Sequence, residues 1–318
     1  MSEDKTAGII DPSAAYNMSN EDLESLYAAF DEQVYEQAEI KHARMIMLQP
    51  QSPEITSQTP GFEQGMIVDS ITKEVLSIKI VPPWLDDEAK KEATAVNCCP
   101  IAVIAKLPSE FIKWKDRKTE GPGFHWKTLD RNEKRVKEGV WKKQGGTFGT
   151  NESDKGKKPP VSENCNFLVT VFTHTGPILV PNIVLTFSST SFDTGAVLTT
   201  YLSRHRFSAL PPFGRIYWLW TLRTKSEKGY YYVYRVTPGP LLSDFCPSVI
   251  PDLIEAAKVL SNKETGYDYA CQLINSADDG PGGDSDNSGS NENSGSYTDS
   301  GHPTADGETR DPFAGVDS

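Results

Sequence analysis

Two runs of alternating, aromatic-rich residues, Arg215–Arg223 and Tyr230–Thr237, flank the short polar turn Thr224–Gly229. Residues of this kind at a period of two suit a pleated, half-buried surface and not a helix. The segment predicts a β-hairpin. A lone hairpin is marginal in water, so further strands or a helix must cover it. Alternation places Ile216, Trp218, Trp220 and Leu222 on one face of the first strand. Tyr230, Tyr232 and Tyr234 share a face of the second. Trp218 and Trp220 are assigned to the core, and Tyr231 and Arg235, on the opposite face, point outward.

Other strand signals support this class. Gly65–Ile71 and Val75–Val81, separated by Thr72-Lys73-Glu74, read as a hairpin that Pro82-Pro83 ends. Pro100–Lys106, Phe167–His174 and Ile178–Phe187 are rich in β-branched and aromatic residues. Thr190–Ser203 reads as a short helix, and residues 246–275 as a helical closure with Val249, Leu253, Ala257 and Leu260 on one face. The order of strands around one helix is that of an OB-fold. Strands 65–71 and 75–81 would open the barrel, 166–187 would form its middle, and 215–223 with 230–237 would close it. The expected fold is mainly β with peripheral helices, an OB-fold-like barrel over residues 49–275. Ahead of it, residues 1–48 form an arm and an acidic amphipathic helix over 20–43. Ser19-Asn20-Glu21-Asp22 caps that helix, and Leu23, Leu26, Tyr27, Phe30, Val34 and Ala38 line one side.

Ser276–Ser318 is almost entirely Gly, Ser, Asp, Asn and Glu, with ten acids and one base. Such a segment cannot bury enough apolar surface to offset its ordering entropy, so a disordered tail is expected. The formal net charge of -12 hides a partition. Residues 1–100 carry 7 bases and 18 acids, and the tail nets -9, whereas residues 101–158 carry 15 bases and 8 acids. An acidic chain can therefore still present a local basic surface to a polyanion.

Residues 108–160 hold that basic surface and break the β pattern. Lys113, Lys115, Arg117, Lys118, Lys127, Arg131, Lys134, Arg135, Lys142 and Lys143 are interleaved with Trp114, Trp126 and Trp141. Single-stranded nucleic acid calls for both parts: cations follow the phosphates and rings stack on unpaired bases. Arg223, Lys225, Lys228, Tyr231 and Arg235 of the final hairpin offer a second surface of the same kind. Alternatively, the tryptophans pin a long loop to the barrel and the lysines solvate its outside.

Catalytic signatures are missing. The sequence holds no phosphate-binding P-loop, no dinucleotide fingerprint, no H-E-x-x-H and no G-x-S-x-G. His42, His125, His174, His205 and His302 stand singly, with no second ligand at metal spacing. No enzyme activity, cofactor or metal is expected. Five cysteines without a C-x-x-C pair, no apolar run of spanning length and no secretory leader lead to the expectation of a cytoplasmic protein.

The β-rich body over 65–240, the basic-aromatic insertion and the acidic tail with Asp311-Pro312-Phe313 resemble the single-stranded DNA-binding proteins of tailed bacteriophages. The resemblance implies an OB-fold body that coats single-stranded DNA during phage replication or recombination. It also implies an acidic tail whose Phe recruits replication or recombination proteins or competes with DNA. In that family the Phe is usually terminal, whereas Phe313 is followed by Ala-Gly-Val-Asp-Ser. A homo-oligomer fits the same picture. A virion or tail-associated structural protein and a recombination annealing protein are the alternatives.

Overall fold

The computed structural model describes residues 42–115, 119–120, 123–154, 157–207, 210–226, 229–263 and 265–276. The tail beyond Ser276, and the helix expected over 20–43 except its last two residues, lie outside them.

Ten strands form the body: β1 (Arg44–Met47), β2 (Ile67–Asp69), β3 (Ile78–Ile80), β4 (Val96–Lys106), β5 (Glu110–Trp114), β6 (Phe124–Thr128), β7 (Ser162–Phe172), β8 (Ile178–Phe187), β9 (Arg215–Ser226) and β10 (Gly229–Leu241). The helices are α1 (Pro53–Thr56), α2 (Asp87–Glu92), α3 (Lys134–Gly139), α4 (Phe192–Phe207), α5 (Leu242–Phe245), α6 (Ile250–Ser261) and α7 (Gly266–Ser276). Seven strands make a curled half-barrel in the order β10-β9-β4-β7-β8-β1-β2, antiparallel except where β1 runs parallel to β8. The protein is thus mainly β with a few helices.

Both faces of the sheet are covered, which explains the nearly continuous apolar runs of β4 and β7. On the concave face Ile101, Val103, Phe167, Val169, Leu185, Tyr217 and Leu219 pack with Leu198 of α4. On the convex face Ile104, Leu168, Phe172 and Ile216 meet Leu253 of α6 and Leu273 of α7. Each fully buried side chain of this size contributes roughly 1.5–3 kcal/mol of transfer free energy. Pro100 lacks an N–H, and it sits where one edge of β4 passes from β3, ending at Cys98, to β7, starting at Ile101.

The open seam of the half-barrel is bridged by side chains. The Gln49 amide donates to the Tyr232 carbonyl at 2.9 Å and accepts from the Tyr232 N–H at 2.9 Å, imitating one rung of a ladder. Ser191 Oγ accepts from the Tyr234 N–H, and Thr194 Oγ1 donates to its carbonyl. The β10 edge is thereby shielded from other chains. Gly65 completes the seam. Its carbonyl accepts from Thr221 Oγ1 at 2.8 Å, its φ is +82°, and a Cβ there would meet the Tyr232 ring at 2.5 Å. Only glycine satisfies both conditions.

Several expectations need correction. The body begins before residue 49, since Arg44–Met47 is a strand of the sheet. The pair 65–71 and 75–81 is bridged only beside its turn, at Val68 and Val75; β2 then joins β1 and β3 joins β4. As far as Ile67, whose carbonyl accepts from the Leu76 and Ser77 N–H groups, the two segments stay hydrogen-bonded; beyond Ser77 they part, and Ile78 pairs with Cys98. The sheet holds ten strands, and β1, β5 and β6 are not among those read from the sequence. Residues 108–160 do not break the β pattern, since β5 and β6 extend the sheet off β7. Trp218 is buried, but Trp220 runs past the covering helices and is half-buried under Trp84, ring centroids 5.4 Å apart.

Candidate nucleic-acid interface

The basic-aromatic insertion is a small folded unit. Phe111, Val136, Val140 and Val161 make its core, and the half-buried Trp126 packs on it. The β5–β6 hairpin carries alternating polar residues, with Lys113 opposite Trp126 and Ile112 opposite Lys127. A register shift after Lys113 sets Trp114 opposite Phe124. Such a bulge re-aims side chains. Trp114 ends the strand 45% exposed, with the half-buried Lys113 and Lys115 on either side. Among the described residues, neither lysine pairs with a carboxylate.

Most of the other candidate cations serve their own fold. Lys127 Nζ lies 3.7 Å from Glu110, which is 1% exposed. Arg131 pairs with the buried Glu163, donates to the Gln144 carbonyl and lies over the Phe111 ring. Burial pushes the Glu163 carboxyl above its ordinary range, and the Arg131 charge beside it opposes that shift. Arg135 sits 4.2 Å from the Trp126 ring centroid and pairs with Glu133, whose carboxyl is held below its ordinary range chiefly by the Arg135 hydrogen bond. Lys134 reaches Glu138 at 3.8 Å on the exposed side of α3. Trp141 packs edge-on to Phe148, and Lys142 beside it is exposed. Trp126 and Trp141 are thus pins of the unit, and Trp114 is the ring left to solvent. Arg117, Lys118, Lys228, the Lys143 side chain and Asp311-Pro312-Phe313 fall outside the described residues.

The final hairpin presents a second surface. The Arg223 guanidinium lies 3.9 Å from the centroid of the Tyr230 ring, which is 50% exposed. Lys225 is exposed and Tyr231 half-buried. Arg235 is also half-buried, and it donates to the Tyr234 carbonyl at 3.2 Å, so it does not point freely outward as expected.

The two surfaces leave β4 from opposite ends. Trp220 of β9 pairs with Cys98, and the hairpin tip continues beyond it, whereas β5 follows Lys106. β4 has 11 residues and is therefore about 33 Å long. The sequence also missed a groove between residues 55–64, residues 94–97 and the start of the β9–β10 hairpin. It is bordered by Lys79, Asn97, Thr221, Arg223 and Tyr232. Nothing in the run Val96-Asn97-Cys98-Cys99 could have marked Asn97. Among the described residues, no group of His, Cys, Asp and Glu is placed to hold a metal ion. No helix there is long and apolar enough to cross a membrane.

No curated protein and no solved structure matches the chain. A family model does match it, over residues 27–263, and that model describes the Pam3 phage gp34-like protein. The matched stretch takes in the whole described sheet and the whole basic insertion, and on this basis the chain belongs to the Pam3 phage gp34-like family.

Proposed function

We propose that this phage protein binds single-stranded DNA with little sequence preference and protects it during replication or recombination, without a catalytic centre of its own. The observation that carries the reading is Trp114, a ring 45% exposed at the end of β5 between two lysines. Stacking on such a ring stabilises an unpaired base by roughly 1–3 kcal/mol and tolerates any base. Lys142 and the Arg223–Tyr230 pair add cations and a second ring. On this reading the half-barrel is used as an OB-like barrel would be, within the host cytoplasm. The tail recruits partner proteins through Asp311-Pro312-Phe313.

The test is titration of the full chain with oligo(dT) at about 50 mM salt, followed by tryptophan fluorescence and gel mobility. Binding should weaken steeply as salt rises, because phosphate contacts release counterions. Trp114→Ala should weaken binding by roughly 5- to 150-fold, the loss of one stacked base. Unchanged fluorescence and mobility in the unsubstituted protein would end the reading. Removing residues 277–318 should tighten binding at low salt if the tail competes for the cations.

A second reading, a virion-associated structural protein, draws on a different observation. Lys127, Arg131 and Arg135 are occupied by Glu110, Glu163 and Glu133 of their own unit. Stable co-purification with particles, together with no affinity for DNA, would favour it.

A further inference from the structure

We propose that the groove beside the β9–β10 hairpin is a subsite for one unpaired base and its phosphate, a proposal that rests on the single-stranded DNA reading. The groove has a volume of about 940 Å³, ample for a nucleotide. Asn97 borders it and is 7% exposed. Its Nδ2 reaches the Gln64 carbonyl at 3.5 Å, and its Oδ1 has no hydrogen-bond partner. Buried polar atoms are almost always paired, so an acceptor left unused beside a groove marks a place for a donor. That oxygen is closed to solvent, so meeting a donor from the groove takes a turn of the amide that gives up the long Nδ2 contact to the Gln64 carbonyl.

The chemistry of the donor follows from base structure. Adenine and cytosine carry an amino group on the pairing edge, and thymine and guanine carry a ring N–H there. Every base can therefore satisfy one acceptor. In a duplex those donors are already used. A single amide oxygen in a groove thus selects unpaired bases over paired ones without choosing among bases.

The rim supplies the remaining parts. Tyr232 forms an aromatic wall, and the Arg223 guanidinium sits 3.9 Å from the centroid of the half-exposed Tyr230 ring. A guanidinium held on a ring keeps its in-plane N–H donors for a phosphate. Lys79 stands opposite Asn97 in the β3–β4 ladder, and its Nζ is 3.4 Å from Glu63 on the other wall. That ion pair is well exposed, so a phosphate can displace Glu63 at little cost. A strand held here and at Trp114 would reach between the two ends of β4, about 33 Å apart.

The experiment uses the full chain and an oligo(dT) carrying 5-iodouracil, crosslinked by ultraviolet light and mapped by mass spectrometry. Crosslinks are expected at Phe62 or Tyr232, which line the groove, or at Tyr230 beside Arg223. In anisotropy titrations Asn97→Ala and Arg223→Ala should each weaken strand binding about tenfold, with Lys258→Ala on α6 as a neutral control. Crosslinks confined to residues 108–160, with both substitutions binding as the unsubstituted protein, would overturn the subsite and leave the broader reading standing. No strand binding by the unsubstituted protein would remove both. Free dTMP binding as tightly as the strand, and depending on Asn97, would make this a mononucleotide site and overturn the proposal. The crosslink map needs no variant, so it decides even if Asn97→Ala fails to fold.

Discussion

Replacing Arg44 with Met is expected to lower the stability of the body by about 3 kcal/mol, the low end of the cost of breaking a buried ion pair. Arg44 is 7% exposed and Glu110 1% exposed. Arg44 Nη1 lies 3.8 Å from Glu110 Oε2 and donates to Thr186 Oγ1 at 3.1 Å, and Nη2 donates to the Ile274 carbonyl at 3.1 Å. One side chain thus ties β1 to β8, to β5 and to the end of α7. Its loss leaves Glu110 with Asn164 Nδ2 at 3.0 Å and Lys127 at 3.7 Å. Those remaining partners place the cost at the low end of the range. For a body of this size, about 3 kcal/mol corresponds to a fall of roughly 6–12 °C in melting temperature. Urea and thermal unfolding followed by circular dichroism measure it. The double variant Arg44→Met with Glu110→Leu should recover much of the loss, because it leaves no unpaired buried charge. A single variant within about 0.5 kcal/mol of the unsubstituted protein, the size of an ordinary surface change, would refute the charged pair.

Trp126→Ala should destabilise the insertion by about 1–3 kcal/mol, since the half-buried ring packs on its core, while Trp114→Ala leaves unfolding nearly unchanged. Equal effects in urea melts would contradict the division into pin and platform. Gln49→Ala removes both bonds to the Tyr232 main chain and should cost about 1–3 kcal/mol, with faster amide exchange at Tyr232 as the local sign. His205 lies against the Tyr217 hydroxyl at 3.0 Å, and burial lowers its pKa. The folded state therefore binds that proton less readily than the unfolded chain. Its contribution is complete above the unfolded pKa of about 6.5 and is lost as pH falls below that value. The stability gap between the unsubstituted protein and His205→Gln should narrow from about pH 7.5 to about pH 5, and a gap independent of pH would contradict this.

The elements that could be read from the chain are those made by local periodicity. Strands over 215–237 alternate cleanly and appear as β9 and β10. The helix expected over 190–203 appears as Phe192–Phe207, and the closure over 246–275 as α6 and α7. Weak local signals hid the rest. β1 is four residues, Arg-Met-Ile-Met, before a Pro-rich loop. β5 and β6 carry Lys113, His125 and Lys127 among their aromatics; Lys127 pairs with Glu110 and lies over the Phe124 ring, so polar contacts as well as apolar burial hold these strands.

What the sequence alone determined is the β class, the covering helices and the concentration of positive charge in one segment. These follow from composition and from contacts within a few residues. Which of the clustered cations are already neutralised was decided only by the tertiary structure. Arg131 meets Glu163 across 32 residues, and Arg44 meets Ile274 across 230. Contacts at such separations leave no periodic trace in the chain. They exist because the curled sheet brings distant strands together, and they leave Trp114 and its two lysines at one end of β4 and the Asn97 groove at the other.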